Sequence, residues 1–464
     1  MVHARRLWTL AIFVLAIGVA IGSWRSWLLT GGVPALIGTR YGRLQLLRWI
    51  LFLAALGTAA AAWIPRPARP GPLGPLKGAL IEVVLALGIL TASALLAAAP
   101  GARESPTWPF TFRLAPQVTW EFPGVKDQAL TGTGYLALGL LALIAGWRSR
   151  RWRPLSLALA AVLLPWGLYT ALAPMALDAY PTTYVRSPVL YGTASVARGH
   201  RLFAEHCGTC HGARGQGDGP AADSLLQRPA DLTASHTGDH TAGDIYWWLT
   251  NGLGLVMPAF GDRLSVDERW DVISFIRALG AGEGARALTG VVSARRSAVV
   301  APDFPFATAT LDGHLRDYRG RQPVLLVLFT WPGSARRLAD LERTRGDLAN
   351  AGARVLAVPM DGADGVASDH AAAPLDGLPI VTRGSTAITD TYTLFARTQL
   401  PAGSLPNPPP PAHAEFLIDK AGYLRARWIV GERQPGWGDV SELLKQIRAL
   451  AVEANSSPAS DEVR

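Results

Sequence analysis

Long apolar runs with few charges fill the first 175 residues of this 464-residue chain. A helix of roughly 20 apolar residues crosses the hydrocarbon layer of a bilayer and satisfies its own backbone there. Five segments are long enough, and they are residues 7–29, 44–64, 78–99, 129–147 and 154–174. The rest of the chain is more polar. The sequence therefore predicts an all-α membrane domain of about five helices over residues 1–180, followed by domains in water.

The formal charge of +9 is concentrated in the membrane part. Residues 1–194 hold 17 Lys and Arg against 5 Asp and Glu, and the remainder is close to balanced, which argues against a nucleic-acid partner. Basic clusters precede the first span, separate the second from the third, and separate the fourth from the fifth. With five spans these clusters share one side. The N-terminus is then cytoplasmic, and everything after residue 175 lies on the periplasmic side of a bacterial inner membrane, with the first helix retained rather than cleaved.

Composition divides the remaining residues. Residues 176–194 and the small-residue segment 280–298 are predicted linkers, and the polar tail from Ser456 is predicted to be disordered. Between them lie a compact segment with helical ends, residues 190–282, and a segment of alternating strand and helix patterns, residues 299–455.

The only two cysteines lie in CGTCHGARGQGDGP, residues 207–220. A Cys-x-x-Cys pair serves as half of a zinc site, as a thiol-disulfide centre or, when His follows at once, as a covalent haem attachment. Zinc needs further Cys or His ligands, and a redox pair has no need of the adjacent His. Haem attachment uses all three residues. We predict one covalently attached haem c, with thioethers from Cys207 and Cys210 and with His211 as an axial iron ligand.

The sixth iron ligand should be a soft or imidazole donor some tens of residues later. The glycine-rich stretch NGLGLVMPAFG, residues 251–261, supplies Met257. The alternative is a methionine that fills the core. His236 and His240 are competing ligands, although His240 lies in a polar run that predicts solvated surface.

Two helical patterns flank the motif, SVARGHRLFAEH at 195–206 and SVDERWDVISFIRAL at 265–279, the second beginning at a serine cap. Gly199 and Phe203 on the first would let it cross Phe275 on the second closely. With the attachment motif and the Met-Pro loop, residues 195–280 resemble a class I cytochrome c.

That resemblance implies further contacts. The Pro229 carbonyl is a candidate to accept the ring proton of His211 and fix its tautomer. Arg228 and Trp248 are candidates for contacts with the haem propionates, against the alternatives of a surface arginine and a core tryptophan.

The membrane part resembles the last helices of the copper-resistance D family, from RYGRLQLLRWILFLAALG at residues 40–57 through GALIEVVLALGILTASALL at 78–96. Copper passage requires soft or imidazole ligands, and residues 4–174 contain no His, Cys or Met. We expect an anchor rather than a copper conduit.

The last segment resembles the thioredoxin-like superfamily, in particular its peroxiredoxin-like and Sco-type copper-chaperone branches. After the first central strand, VLLVLF, where those families carry cysteines, this chain reads TWPGSARR. Without a thiol we expect neither disulfide exchange nor peroxide reduction. His413 lies near the place of the Sco copper ligand, about two residues out of register, and a structural His is the alternative.

The sequence thus predicts a multidomain protein with a membrane part, an all-α cytochrome c domain and an α/β thioredoxin-like domain lacking cysteines. We expect a membrane-anchored periplasmic monohaem electron carrier rather than a catalyst, with redox proteins as partners. The alternative is a copper-handling accessory protein with a haem redox module, in which copper is a further partner.

Overall fold

A computed structural model describes residues 22–24, 27, 32–63, 74–99, 104–293, 299–361, 377–397, 410–431, 436–454 and 457–463. The chain divides into two compact units, Met1–Val185 and Arg186–Arg464. Most of the predicted span 7–29 lies outside the described residues.

The first unit is mainly helical. Its elements are α1 (Val33–Gly38), α2 (Arg40–Trp63), α3 (Gly74–Ala98), β1 (Phe112–Leu114), α4 (Pro116–Thr119), α5 (Val125–Arg148), α6 (Arg153–Leu172) and β2 (Ala176–Asp178). Strands β1 and β2 pair antiparallel, so the start of the predicted linker 176–194 belongs to this unit.

Three helices among the described residues are long and apolar enough to cross a membrane, Gly78–Ala98, Val125–Arg148 and Arg153–Met175. They match the predicted spans 78–99, 129–147 and 154–174. The predicted span 44–64 lies mostly in α2, which is helical but is not one of the three. The first nine residues of α2 include three arginines. A count of about five spans is therefore not confirmed.

Helices α5 and α6 pack through small residues. A Cβ atom on Gly132 would lie 2.6 Å from the carbonyl oxygen of Gly167, so the two backbones approach each other directly. The same helices leave large apolar side chains exposed, among them Leu130 and Val162. Close small-residue contacts and an apolar outer surface are typical of helices packed in lipid.

The second unit begins with four helices, α7 (Thr193–His206), α8 (Gly208–His211), α9 (Ala242–Asn251) and α10 (Val266–Ala285). Ser265 caps α10 as predicted, because its side chain accepts from the Glu268 N–H. The predicted crossing of α7 and α10 is also present, with the rings of Phe203 and Phe275 5.1 Å apart.

The unit continues as an α/β fold. Its elements are β3 (Pro305–Ala307), β4 (Asp312–His314), β5 (Val324–Phe329), α11 (Ala335–Arg343), α12 (Arg345–Asn350), β6 (Arg354–Pro359), α13 (Ser385–Phe395), β7 (His413–Ile418), β8 (Leu424–Ile429) and α14 (Val440–Val452). The main sheet has the order β6-β5-β7-β8, with β5 and β6 parallel and β7 antiparallel to both of its neighbours. This is the predicted thioredoxin-like arrangement.

The sheet separates two apolar cores. Residues of β5 alternate between them: Leu326 packs with Phe416 and Tyr392 on one face, and Val327 packs with Leu341 on the other. Burial on both faces favours apolar residues at every position, which explains the unbroken run VLLVLF.

The prediction that residues 280–298 form a linker is wrong for residues 280–293, the part that the structure describes. Helix α10 continues to Ala285, which is completely buried in the core of the thioredoxin-like part, and Leu288 packs against the same core. The small residues of GAGEGA suggested flexibility. They instead permit close packing, since a Cβ atom on Gly282 would lie 2.8 Å from the Leu394 carbonyl oxygen.

The prediction of a disordered tail is also wrong where the structure describes it, at residues 457–463. The Ala459 N–H donates to the Ala421 carbonyl at 2.7 Å, and Arg319 forms an ion pair with Asp461 at 2.5 Å. Val463 is buried. The polar composition of the tail was a poor guide, because the tail is fixed by backbone hydrogen bonds and by the half-buried Arg319.

Candidate functional site

The two cysteines and the following histidine lie on one short helical turn. Cys207 is the single residue between α7 and α8, and it caps both helices. The N–H groups of Cys210 and His211 donate to the Cys207 carbonyl at 3.1 and 2.9 Å. Residues three and four apart in a helical turn lie on one face, so both thiols and the imidazole share a side. This placement fits a haem held by two thioethers and one axial ligand.

The imidazole of His211 is oriented by a backbone carbonyl. Its Nδ1 lies 3.0 Å from the carbonyl oxygen of Ala230, which assigns the proton to Nδ1 and leaves Nε2 available to a metal. Burial lowers the pKa of His211 and the Ala230 carbonyl opposes that shift, so the ring is neutral at pH 7, as a ligand must be.

The prediction that Pro229 supplies this carbonyl is wrong by one residue. The Pro229 oxygen faces Gly217 instead, 2.3 Å from where a Cβ atom there would lie. Successive carbonyls of a non-helical segment point in different directions, so a one-residue error in register selects the wrong group. Gly217 has a φ of 72°, a left-handed conformation that favours glycine at this close approach.

The Cys207 thiol lacks the thiolate character that a redox pair uses. Burial raises the pKa of Cys207 to about 12, and the neighbouring Cys210 adds to the shift, so the group is a protonated thiol at neutral pH. Disulfide exchange requires a thiolate. The part of the chain that the structure describes also contains no group of three or more His, Cys, Asp and Glu side chains placed to hold a metal ion, as a zinc site requires.

The loop with the predicted sixth ligand is fixed by its backbone. The Leu253 N–H donates to the Met257 carbonyl at 2.9 Å, and a Cβ atom on Gly252 would lie 2.6 Å from that same oxygen. The Met257 side chain is half-buried. Its assignment as an axial ligand stays a prediction.

The competing histidines differ in their surroundings. His236 is exposed, whereas His240 is half-buried, with its ring edge on Trp248 at 4.8 Å, so His240 is less exposed than its polar run predicts. The His240 carbonyl accepts from Arg277 at 2.5 Å.

Arg228 is exposed, and its Nε lies 3.4 Å from the Gly217 carbonyl oxygen. The propionate contacts of Arg228 and Trp248 stay predictions.

Comparison with known proteins addresses the helical part of the second unit. Residues 194–276 match the family model described as cytochrome c oxidase, cbb3-type, subunit III. A cytochrome c6 from Diacronema lutheri is 33% identical over 81 residues, which are 18% of this chain and 92% of that protein. The chain belongs to the cytochrome c family. The family implies haem c and supports the role of an electron carrier.

A second cytochrome c relative is larger. The cbb3-type cytochrome c oxidase subunit FixP of Azorhizobium caulinodans is 34% identical over 91 residues, 20% of this chain. The chain spans 29% of the length of that subunit. The resemblance of the membrane part to the copper-resistance D family stays a prediction.

Comparison with solved structures finds thiol:disulfide interchange proteins and peroxiredoxins. They include a thiol:disulfide interchange protein DsbE from Chlorobium tepidum, at 22% identity and a TM-score of 0.24 over 32% of this chain and 94% of that one. A mitochondrial 2-Cys peroxiredoxin from Plasmodium falciparum has 16% identity and a TM-score of 0.24 over 32% and 90%. The assignment of the fold rests on the sheet order.

The thioredoxin-like part contains a buried polar network between α11, β7 and the segment that precedes α14. Glu415 of β7 is completely buried and accepts from both Arg337, at 2.6 and 2.9 Å, and Trp437, at 2.5 Å. Burial alone would raise the pKa of Glu415, but hydrogen bonds from His413 and Arg337 outweigh it and lower the pKa to about 2. The centre of the network is the buried ion pair of Glu415 with Arg337.

Both ring nitrogens of His413 have partners in this network. Nδ1 lies 3.0 Å from the Ser334 hydroxyl, and Nε2 lies 2.9 Å from a Glu415 oxygen. The order Ser, His, Glu is that of a catalytic triad, but Ser334 is 3% exposed and His413 is 4% exposed, which leaves neither open to a substrate. The role is structural, and it leaves no ring nitrogen of His413 for copper.

Sequence reasoning missed Ala230 and the pair of Arg337 with Glu415. A signal for the pair was present, because Glu415 is a charge within the otherwise apolar strand HAEFLI. A charged residue in a buried strand requires a partner. Its partner is 78 residues away, and no local pattern identifies it.

Proposed function

We propose that the chain is a membrane-anchored monohaem cytochrome c that carries single electrons on the periplasmic side of the inner membrane, in a respiratory or related chain. The observation that carries the proposal is the turn on which Cys207, Cys210 and His211 share a side, with Nδ1 of His211 held by Ala230. The same geometry explains why the motif uses all three residues.

Each residue has a separate task. Cys207 and Cys210 hold the haem as thioethers, His211 presents Nε2 to the iron, and Met257 is the second axial ligand. A bound haem c supplies an iron that exchanges one electron between two oxidation states. The Ala230 carbonyl keeps the His211 ring in the ligating tautomer and orientation. Arg228 and Trp248 are proposed propionate contacts.

The rest of the chain serves this carrier. Residues 1–180 form the membrane anchor, residues 190–282 the cytochrome domain and residues 299–455 the thioredoxin-like domain. Tethering to the membrane raises the effective concentration of the carrier near membrane-bound redox partners. The protein thus acts as a carrier rather than as a catalyst.

The copper-handling alternative has no observation in its favour. The His413 ring is engaged on both nitrogens, and residues 4–174 lack His, Cys and Met. Copper titration of the purified protein separates the two functions, because an electron carrier of this kind binds no stoichiometric copper.

Haem attachment is the direct test. The wild-type chain should retain haem through denaturing electrophoresis, and Cys207→Ala or Cys210→Ala should leave at most one thioether and little haem-loaded protein. Cys207→Ala combined with Cys210→Ala should abolish the haem stain. Full staining of that double variant would end the cytochrome proposal.

A further inference from the structure

Helix α10 belongs to both halves of the second unit. Its first half packs on α7 of the cytochrome part, where the Arg198 side chain donates to Asp271 at 2.7 Å and Phe275 meets Phe203. Its last turn lies in the thioredoxin-like core, where Ala285 is completely buried. A single rigid helix therefore connects the two parts without an intervening linker.

Helix α13 of the thioredoxin-like part packs against both cytochrome helices. The Leu394 carbonyl touches Gly282 of α10. On α7, His200 stacks on Phe275 at 4.8 Å. Burial is the main reason that the pKa of His200 is lowered, and the charges of Asp390, in α13, and Arg397, just after it, also act on that ring. The end of α13 is therefore held close to the helix that leads into the attachment turn.

Arg397 follows α13 by two residues, and its backbone is fixed. Arg427 Nη1 donates to the carbonyls of Phe395 and Arg397 at 2.7 and 2.8 Å. Burial, together with the charges of Arg214 and Arg286, lowers the pKa of Arg397 to about 10, against the opposing effect of Glu283. The Arg397 guanidinium remains charged at pH 7.

Arg214, one of the charges that act on Arg397, lies in the haem-attachment segment, three residues after His211. In the same segment, Gly215 packs against Leu279 of α10, with Leu279 Cδ1 2.9 Å from where a Cβ atom on Gly215 would lie. Leu279 and Gly282 lie one turn apart on α10, so the attachment segment at Gly215 and the end of α13 at Leu394 meet neighbouring positions of the shared helix.

We propose that the thioredoxin-like part sets the reduction potential of the haem, by placing the fixed positive charge of Arg397 beside the segment that holds the haem. The proposal rests on the proposed function of the cytochrome part. Oxidised iron carries one more positive charge than reduced iron, so a nearby cation disfavours the oxidised state and raises the potential. A domain without cysteines thereby has an electrostatic role.

The test is an equilibrium redox titration of the haem-loaded full chain. Arg397→Gln should lower the potential, so that the ratio of reduced to oxidised protein at a fixed ambient potential falls several-fold. Arg397→Lys keeps the charge and should keep the potential. Arg336→Gln removes an exposed arginine of the same domain, on α11, and should also leave the potential unchanged.

Three outcomes would overturn the inference: an Arg397→Gln potential equal to that of wild type, an equal fall in Arg397→Lys, or an equal fall in Arg336→Gln. If Arg397→Gln does not fold, Arg397→Met, which keeps an unbranched side chain without the charge, should lower the potential in the same direction, and an unchanged potential in that variant would overturn the inference. A wild-type chain without any haem redox transition would instead refute the proposed function, which keeps the two failures distinct.

Discussion

Gly199 of α7 lies directly against Asp271 of α10, because a Cβ atom on Gly199 would come within 1.9 Å of the Asp271 backbone oxygen. The two helices that frame the haem-attachment turn therefore cross at backbone contact. Any side chain at position 199 has to push them apart.

Gly199→Ala should destabilise the haem-loaded protein by about 1–3 kcal/mol, the usual cost of overpacking. Gly280→Ala is the matched control, because no atom lies within 4 Å of a Cβ atom at that position in α10. It should be neutral or stabilising by up to about 1 kcal/mol, since alanine favours the helix. Denaturant unfolding followed by haem absorbance measures both, and equal midpoints would contradict the crossing.

Local patterns predicted much of this cytochrome site, and distant contacts did not. The attachment motif, the Ser265 cap and the closeness of Phe203 to Phe275 follow from short spacings and helical periodicity. The Ala230 carbonyl was missed by one residue, because direction along a loop is set by its tertiary contacts. The pair of Arg337 with Glu415 was missed because its members are far apart in sequence.

Met257→His should lower the haem potential while the iron stays six-coordinate. A thioether favours reduced iron relative to a second imidazole, so the exchange stabilises the oxidised state. Absorbance spectra report the ligand change, and redox titration reports the potential. Met360→Leu, in the thioredoxin-like part, is the control and should alter neither. An unchanged spectrum in Met257→His would assign the sixth position to another residue.

The membrane topology can be read from reporter fusions. A reporter active only in the cytoplasm should work when fused after Arg151 and fail when fused after Tyr184, because the basic cluster between α5 and α6 resists translocation. A reporter active only outside should give the reverse pattern. Cytoplasmic activity at Tyr184 would place the haem-attachment turn on the wrong side of the membrane.

Because α10 packs in both the cytochrome part and the thioredoxin-like part, aspartate should have very different effects on stability at Ala285 and at Ala287. Ala285→Asp puts a charge into the thioredoxin-like core and should cost about 3 kcal/mol or more. Ala287→Asp changes an exposed residue just beyond the helix and should be tolerated. Thermal melts and limited proteolysis of the thioredoxin-like part give the readout. Equal tolerance of both would restore a flexible linker at residues 280–298.

The buried network predicts different effects for two adjacent arginines of α11. Arg337 is buried and pairs with Glu415, whereas Arg336 is exposed. Arg337→Gln leaves a buried carboxylate without its main cation and should cost about 3–5 kcal/mol at pH 7. Arg336→Gln should change stability by less than about 0.5 kcal/mol. Urea unfolding followed by tryptophan fluorescence compares the two variants, and equal losses would show that the ion pair contributes nothing.

The same pair fixes the acid sensitivity of the thioredoxin-like part. The pKa of Glu415 is about 2 in the folded protein against 4.5 for an ordinary glutamate. A carboxyl whose pKa falls on folding stabilises the fold above the higher value, and that contribution is lost as the pH drops towards the lower one. Wild-type stability should therefore decline between about pH 4.5 and pH 2, by about 3 kcal/mol from this group. In Arg337→Gln the loss of stability that comes from Glu415 should be smaller. The carboxyl then lacks one of the two side chains, His413 and Arg337, that lower its pKa. An undiminished decline in that variant would assign the acid sensitivity to other carboxyls.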